Sequence, residues 1–159
     1  MIRRALAVAV PVFLLDRLSK YWIVEVLDLR HRLYIPVFDP WLNFTMAWNQ
    51  GINFGLFNMG DSGRWFLIGL ALAITVGLAI WIRTRTGWGA AVGAGAIMGG
   101  AIGNVWDRVQ YGAVADFLNM SCCGIRNPFA FNIADAAIFI GAAILVIFAT
   151  DREPKSHQS

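Results

Sequence analysis

An integral membrane α-helical fold, with four transmembrane helices and a small outer β-rich segment, is what the sequence predicts. Three observations carry that prediction. Apolar residues make up 58% of the 159-residue chain and charged residues only 14%, whereas a soluble domain carries about 25% charged residues. Mean hydropathy is +0.59, and four stretches approach the roughly 20 apolar residues that a helix needs to cross about 30 Å of hydrocarbon. Between the first two stretches, residues 25–64 mix aromatic and branched residues with amides and charges.

The first span covers residues 5–24, interrupted by Asp16, Arg17 and Lys20. Its start, MIRRALAVAVPVFLL, is laid out like a signal peptide. No small-residue cleavage site follows, only DRLSKYW, so the run reads as a retained first helix. In the outer segment, WLNFTMAWNQGINFGLF (residues 41–57) is broken by Asn43, Asn49, Gln50 and Asn53. Short strands suit it better than another span, and its aromatics fit headgroup depth. WFLIGLALAITVGLAIWI, residues 65–82, is the clearest span, with eighteen residues and no charge. A basic RTRT turn leads to the third span, residues 88–106, whose GAAVGAGAIMGGAIG lets neighbouring backbones approach closely. The fourth covers 131–149, and 151–159 reads as a polar cytoplasmic tail. The chain is thus one membrane-embedded domain, 1–159, with an outer surface segment, 25–64.

With four spans, Arg3, Arg4, Arg83, Arg85, Arg152 and Lys155 fall on one side. Basic residues near span ends mark the cytoplasmic face, so both termini are expected there. Arg30, Arg32 and Arg64 on the opposite side are offset by Glu25, Asp28, Asp39 and Asp61. The net charge of +3 forms no basic stripe, so nucleic acid is not an expected partner. His31 and His157 lie far from other ligand types, and Cys122 and Cys123 are adjacent. No metal or cofactor is therefore expected.

Polar residues of the spans gather towards the outer side. Asp16 and Lys20 are four apart and share a helix face. Asn104 and Asp107 are three apart with Arg108 next, and Asn132 and Asp135 are three apart at the start of the fourth span. Asp116 lies in the outer connection between the last two spans. Charged groups in hydrocarbon are costly and face a bundle interior or a watery cavity, so convergence from several segments marks a site. Two close carboxylates sharing one proton suit metal-free peptide hydrolysis, the ionised member activating water and the protonated one polarising a carbonyl. The same pair suits a proton relay, as in a small proton-coupled four-helix transporter with Asp16 as its deep acidic residue.

GGAIGNVWDRVQYGAVADF (Gly99 to Phe117) followed by FNIAD (Phe131 to Asp135) closely resembles the bacterial lipoprotein signal peptidases, the type II signal peptidases. DRLSK (Asp16 to Lys20) and NQGINFG (Asn49 to Gly55) resemble that family's earlier motifs, and the order matches over essentially the whole chain. The resemblance implies an aspartic endopeptidase of the bacterial cytoplasmic membrane with its site towards the outer face. Its substrates would be diacylglyceryl-modified prolipoproteins, cut immediately before the lipidated cysteine, and the cyclic peptide globomycin would block it. By motif, the catalytic aspartates fall on Asp116 and Asp135. Asn104, Asp107 and Arg108 would hold the connection carrying Asp116, and Asn132 would orient Asp135 or bind substrate. Asp16 and Lys20 would brace the site, while Asn49 and Gly51 would grip the peptide. No oligomer is required. Asn53, Ala136 and the SCCG stretch (Ser121 to Gly124) depart from the family pattern, without removing either aspartate.

Overall fold

The small and branched apolar residues that follow Met1 wind into α1, Ile2–Lys20, which widens without a break into a π-helical stretch, Tyr21–Val26. A computed structural model describes residues 1–51, 61–124 and 127–148 of the chain. Asn53 and the rest of the outer motif beyond Gly51 lie outside the described residues, as do Ala149 and the tail 151–159.

After α1 come a single turn, α2 (Leu29–Arg32), and the strands β1 (Tyr34–Phe38) and β2 (Leu42–Asn49). The uncharged run forms α3, Asp61–Trp81, closed by a 3-10 turn, Ile82–Thr84. The Gly/Ala-rich segment forms α4, Trp88–Tyr111, which ends where Gly112 takes φ +81° and returns its N–H to the Arg108 carbonyl. Glycine suits that left-handed C-terminal cap because it has no Cβ to clash. β3 (Val114–Asn119) and α5 (Ile133–Phe148) complete the fold.

Ser62–Thr84 has the length and apolarity to cross a membrane, with mean hydropathy 2.3 and only 11% of its apolar window buried. The protein is an α-helical membrane protein with a small open sheet. Its lipid-like exterior extends to other helices, since Leu15 and Leu18 on α1 and Phe139 and Val146 on α5 are exposed. In water such a surface would be an association hazard; in hydrocarbon it needs no cover.

What the helices bury is small. On α4, Gly95, Gly99 and Gly103 recur every four residues and face α1, while Gly93 and Gly100 face α5. A Cβ at Gly99 would lie 2.9 Å from Val12 Cβ and 3.0 Å from Ala9 Cα. One at Gly93 would lie 2.8 Å from the Gly141 carbonyl. The sequence GAAVGAGAIMGGAIG therefore makes α4 a two-faced central helix. Lipid tails are as apolar as leucine, so close backbone contact supplies the attraction that water supplies elsewhere.

The sheet is antiparallel in the order β1-β2-β3. Its third strand comes from the connection after α4, outside the 25–64 segment in which the sequence reading located the strands. In β2–β3, Asn49 pairs with Val114 and Ala47 with Asp116, and a bulge lies between Phe44 and Ala47. Phe44 meets Phe117 edge to face at 6.2 Å, and with Ile23, Val24, Leu29 and Ala115 they form the apolar support under the sheet. A bridge from Leu118 to Phe131 ties β3 to the approach to α5.

Replacing Gly99 by alanine should lower the thermal stability of the detergent-solubilised protein by about 1–3 kcal/mol, the cost of overpacking a tight contact. Gly69→Ala on α3, where a new Cβ meets nothing within 4 Å, should leave the melting temperature unchanged or raise it. Equal melts for the two variants would disprove the two-faced role of α4.

Candidate active site

The amino end of α5 is built by a reciprocal pair of hydrogen bonds. Asn132 Oδ1 accepts from the Asp135 N–H at 2.8 Å, and Asp135 Oδ2 accepts from the Asn132 N–H at 3.3 Å. This is the capping-box arrangement, with an amide at the cap and a carboxylate three residues on. It fixes the Asp135 side chain in the first turn, where the positive end of the helix favours a carboxylate.

The same Asn132 reaches the other carboxylate. Its Nδ2 donates to Asp116 Oδ1 at 2.7 Å, and Asn49 Nδ2 donates to Asp116 Oδ2 at 3.0 Å. Asn104 Nδ2 donates to Asp135 Oδ1 at 2.8 Å, while Asn104 Oδ1 accepts from Asn132 at 3.3 Å. Asp116 and Asp135 are thus joined through two amide side chains, and each carboxylate has a neutral donor on each oxygen. Asp116 is 2% exposed on β3. Burial, and then the charge of Asp135, push its carboxyl from the ordinary 3.8 up to about 7. Asp135 is half-buried and lines an apolar groove of about 330 Å³ with Phe131, Ala136, Phe139 and Ile140. A second groove of about 250 Å³ runs among α3, α4 and α5 and ends at Asn104 and Arg108.

Below the amides lies a buried ionic layer. Lys20 Nζ is 2.9 Å from Asp16 Oδ2 and 2.6 Å from Asp107 Oδ2. Arg17 pairs with Asp107 and reaches Asp16 at 3.5 Å. Two cations and two carboxylates leave no net charge, which is what makes burial tolerable. The remaining acceptors are used as well. Asp16 Oδ1 takes the Ala134 N–H of α5 at 3.1 Å, and Asp107 Oδ2 takes the Ala115 N–H of β3 at 3.2 Å. A Cβ at Gly103 would lie 2.6 Å from Asp16 Oδ2, so glycine there clears the space the carboxylate occupies.

This arrangement brings Asp16, Lys20, Asn49, Asn104, Asp107, Asp116, Asn132 and Asp135 into one connected network. Gly51 sits beside it, donating its N–H to Asn49 Oδ1 at 2.8 Å, and a Cβ there would lie 3.5 Å from Arg108 Nη2. Arg108 differs from the expectation that it helps hold the connection. Its Nη1 donates to the Asn104 carbonyl of its own helix at 3.3 Å, and among the described residues it forms no ion pair. Its charge interacts with Asp135 more than with Asp107 or Asp116. Arg17 is the residue the sequence reading missed. It stands inside DRLSK, one position from Asp16, and only the approach of α4 reveals Asp107 as its partner.

The sequence model of the family described as Signal peptidase (SPase) II matches residues 8–150. The chain belongs to this family. A lipoprotein signal peptidase of Caulobacter vibrioides is 41% identical over 158 residues, covering 98% of this chain and 92% of that one. Another, of Methylorubrum extorquens, is 36% identical over 160 residues, covering 97% and 90%. A solved bacterial membrane enzyme aligns with a TM-score of 0.78 at 25% identity over 94% of each chain. A second solved bacterial membrane enzyme aligns with a TM-score of 0.75 at 26% identity, covering 95% of this chain and 94% of that one. As a signal peptidase II the protein is an aspartic peptidase of the bacterial inner membrane, acting on lipoproteins. The transporter reading is set aside, and Asp16 is bonded to Lys20 and to the Ala134 N–H of the α5 N-terminus.

The raised Asp116 carboxyl has a consequence for stability. Between the ordinary 3.8 and about 7, the folded signal peptidase holds a proton that the unfolded chain has released. Native protons exceed unfolded ones across that window, so stability falls as pH rises through it. The wild-type melting temperature should therefore drop from pH 4 to pH 7 relative to Asp116→Asn, measured in detergent at constant ionic strength. Parallel curves for the two proteins would show that Asp116 ionises normally.

Proposed function

We propose that Asp116 and Asp135 are the catalytic pair of this signal peptidase and that together they hold one proton in the resting state. The observation that supports the pairing is Asn132, which donates to Asp116 and is locked reciprocally to Asp135. The ionised carboxylate takes a proton from water as the water oxygen attacks the scissile carbonyl. The protonated carboxyl donates its hydrogen bond, then its proton, to the carbonyl oxygen, giving a neutral tetrahedral diol. Collapse moves a proton to the leaving nitrogen, breaks the C–N bond and regenerates the pair. The titration belongs to the pair as a whole, not to one residue.

The substrate in this reading is a prolipoprotein whose lipobox cysteine carries diacylglyceryl, cut immediately before that cysteine. The two apolar grooves that end at Asp135 and at Asn104 and Arg108 support it. Each methylene kept in hydrocarbon contributes about 0.8 kcal/mol, so the lipid can hold the peptide at membrane depth. Asn49, Gly51 and Arg108 border the site on its outer side and are positioned to meet substrate backbone. Water enters from that side, and globomycin would compete with substrate there.

Four spans, α1, α3, α4 and α5, complete the topology, with both termini and the 151–159 tail cytoplasmic, 25–64 at the outer surface and 1–159 as a single domain. At 24 residues α4 is about 36 Å long, enough for the hydrocarbon core. The basic residues Arg3, Arg4, Arg83 and Arg85 lie at the end of the helices away from the aspartates, and the preference of basic residues for the cytoplasmic side supports this orientation. The monomer suffices for this chemistry.

A gel-shift assay with purified protein and a diacylglyceryl-modified precursor tests the reading. Cleavage should need the lipid, and D116N and D135N should each lower turnover by about 10² to 10⁴-fold while remaining folded and membrane-inserted. Should either variant cleave at the wild-type rate, the dyad is misassigned. Cleavage of unlipidated precursor at the same rate would remove the lipid from the specificity.

A further inference from the structure

Three segments of the chain meet at the end of the helices opposite the aspartates. Met1, Ile2 at the start of α1 and Trp81 at the end of α3 pack against a buried cluster of Ala5, Ile82, Ala90, Ala91 and Ala94. That contact gathers four arginines. Arg3 and Arg4 come from the first turn of α1, and Arg83 and Arg85 from the turn that follows α3. Two are laid on indole faces. The Arg4 guanidinium carbon is 4.4 Å from the Trp88 ring centre, and that of Arg85 is 4.9 Å from the Trp81 ring centre.

No carboxylate answers this charge among the described residues, because every ion pair found there involves Arg17, Lys20, Arg30 or His31. Among the described residues, Arg4 donates only to Met1 Sδ at 3.6 Å, and Arg85 Nε is buried without a hydrogen-bond partner. Along α1 the next carboxylate is Asp16, about 18 Å from Arg4 at 1.5 Å per residue. The carboxyl-terminal stretch carries Asp151 and Glu153 against Arg152 and Lys155, so by sequence it brings no net charge. Trp88 is 62% exposed, and indoles prefer the depth of the lipid headgroups.

Stacking on an indole uses the flat face of a guanidinium and leaves its N–H edge directed outward. Phosphate oxygens match that edge, and Arg–phosphate contacts are frequently bidentate. We propose that Arg3, Arg4, Arg83 and Arg85, on their Trp81–Trp88 shelf, form a binding site for the headgroup phosphodiester of an anionic phospholipid. A zwitterionic lipid presents the same phosphate with an ammonium beside it, which four cations without an ion-pair partner among the described residues disfavour. The site is remote from the peptidase chemistry and does not depend on the dyad assignment.

Native mass spectrometry of the full-length protein, titrated with dioleoylphosphatidylglycerol or dioleoylphosphatidylcholine, tests this directly. Phosphatidylglycerol adducts should appear at markedly lower lipid concentration than phosphatidylcholine adducts. R4Q and R85Q should each weaken phosphatidylglycerol binding about fivefold, corresponding to about 1 kcal/mol for each basic side chain at an anionic surface. R64Q, at the other end of the protein, should leave it unchanged. Equal binding of the two lipids by the wild type would overturn the proposal without reference to any variant. So would undiminished binding by the R4Q/R85Q double variant. Displacement of the lipid by millimolar inorganic phosphate would reassign the cluster to a free oxyanion and overturn the lipid reading too.

Discussion

The site depends on one buried contact, the Asp16 carboxylate set between Lys20 and the first turn of α5. Asp16 Oδ2 accepts from Lys20 Nζ, and Asp16 Oδ1 accepts the Ala134 N–H. A helix begins with unsatisfied N–H groups and a positive end, so a carboxylate from another helix both satisfies and stabilises it. Lys20 goes on to Asp107, whose other role is to hold the Ala115 N–H on β3. Asp135 is three residues after Asn132 on α5, and Asp116 is the residue after Ala115. One ionic layer therefore fixes the two backbone elements from which the two aspartates project. Removing one member would leave an uncompensated buried charge, which costs about 3–5 kcal/mol.

That layer can exist because α4 is small where it meets its neighbours. Glycine at positions 95, 99 and 103 draws α1 against α4, and the last of them leaves room for the Asp16 oxygen itself. A side chain at 103 would separate the carboxylate from the helix it caps. Backbone packing and electrostatics are here the same constraint, read on one face of one helix. On the outside no such economy is needed, and large apolar side chains such as Phe139 and Val146 face outward.

Much of this was legible in the sequence, and the reasons for what was not are physical. The length of the apolar runs located α1, α3, α4 and α5 to within about five residues, since an uncharged run such as 65–82 has few other solutions. The i, i+3 spacing of Asn132 and Asp135 put both at the start of the fourth span, but their reciprocal capping bonds are visible only in the structure. The spacing of Asp16 and Lys20 announced a shared face. The third strand was not legible because AVADFLN is short, and its pairing partner β2 lies about seventy residues earlier. Local sequence carries no trace of a pairing made across that distance. Arg17 failed for a related reason: its partner Asp107 is ninety positions away. Arg108, adjacent to Asp107, looked like the nearer cation, but neighbours on a helix point about 100° apart. Catalytic candidacy itself came from family motifs, with chemistry alone leaving hydrolysis and proton relay both open.

The division of labour between cations and amides bears on the chemistry. Had Lys20 or Arg17 touched Asp116, its positive charge would favour the ionised carboxylate, and a pair sharing one proton would be hard to keep. Instead the two cations are held by Asp16 and Asp107, while the groups touching Asp116 are the neutral amides of Asn49 and Asn132. Amide donors lower the Asp116 carboxyl, but burial and the charge of Asp135 outweigh them and leave it near 7. An amide also offers an oxygen, so Asn104 and Asn132 can each donate to an aspartate while accepting from another group. A lysine or arginine could only donate. The asparagines at 49, 104 and 132 thus orient both carboxylates without settling where the proton must be, which suits the catalytic pair proposed above, whose members would exchange acid and base roles within one cycle.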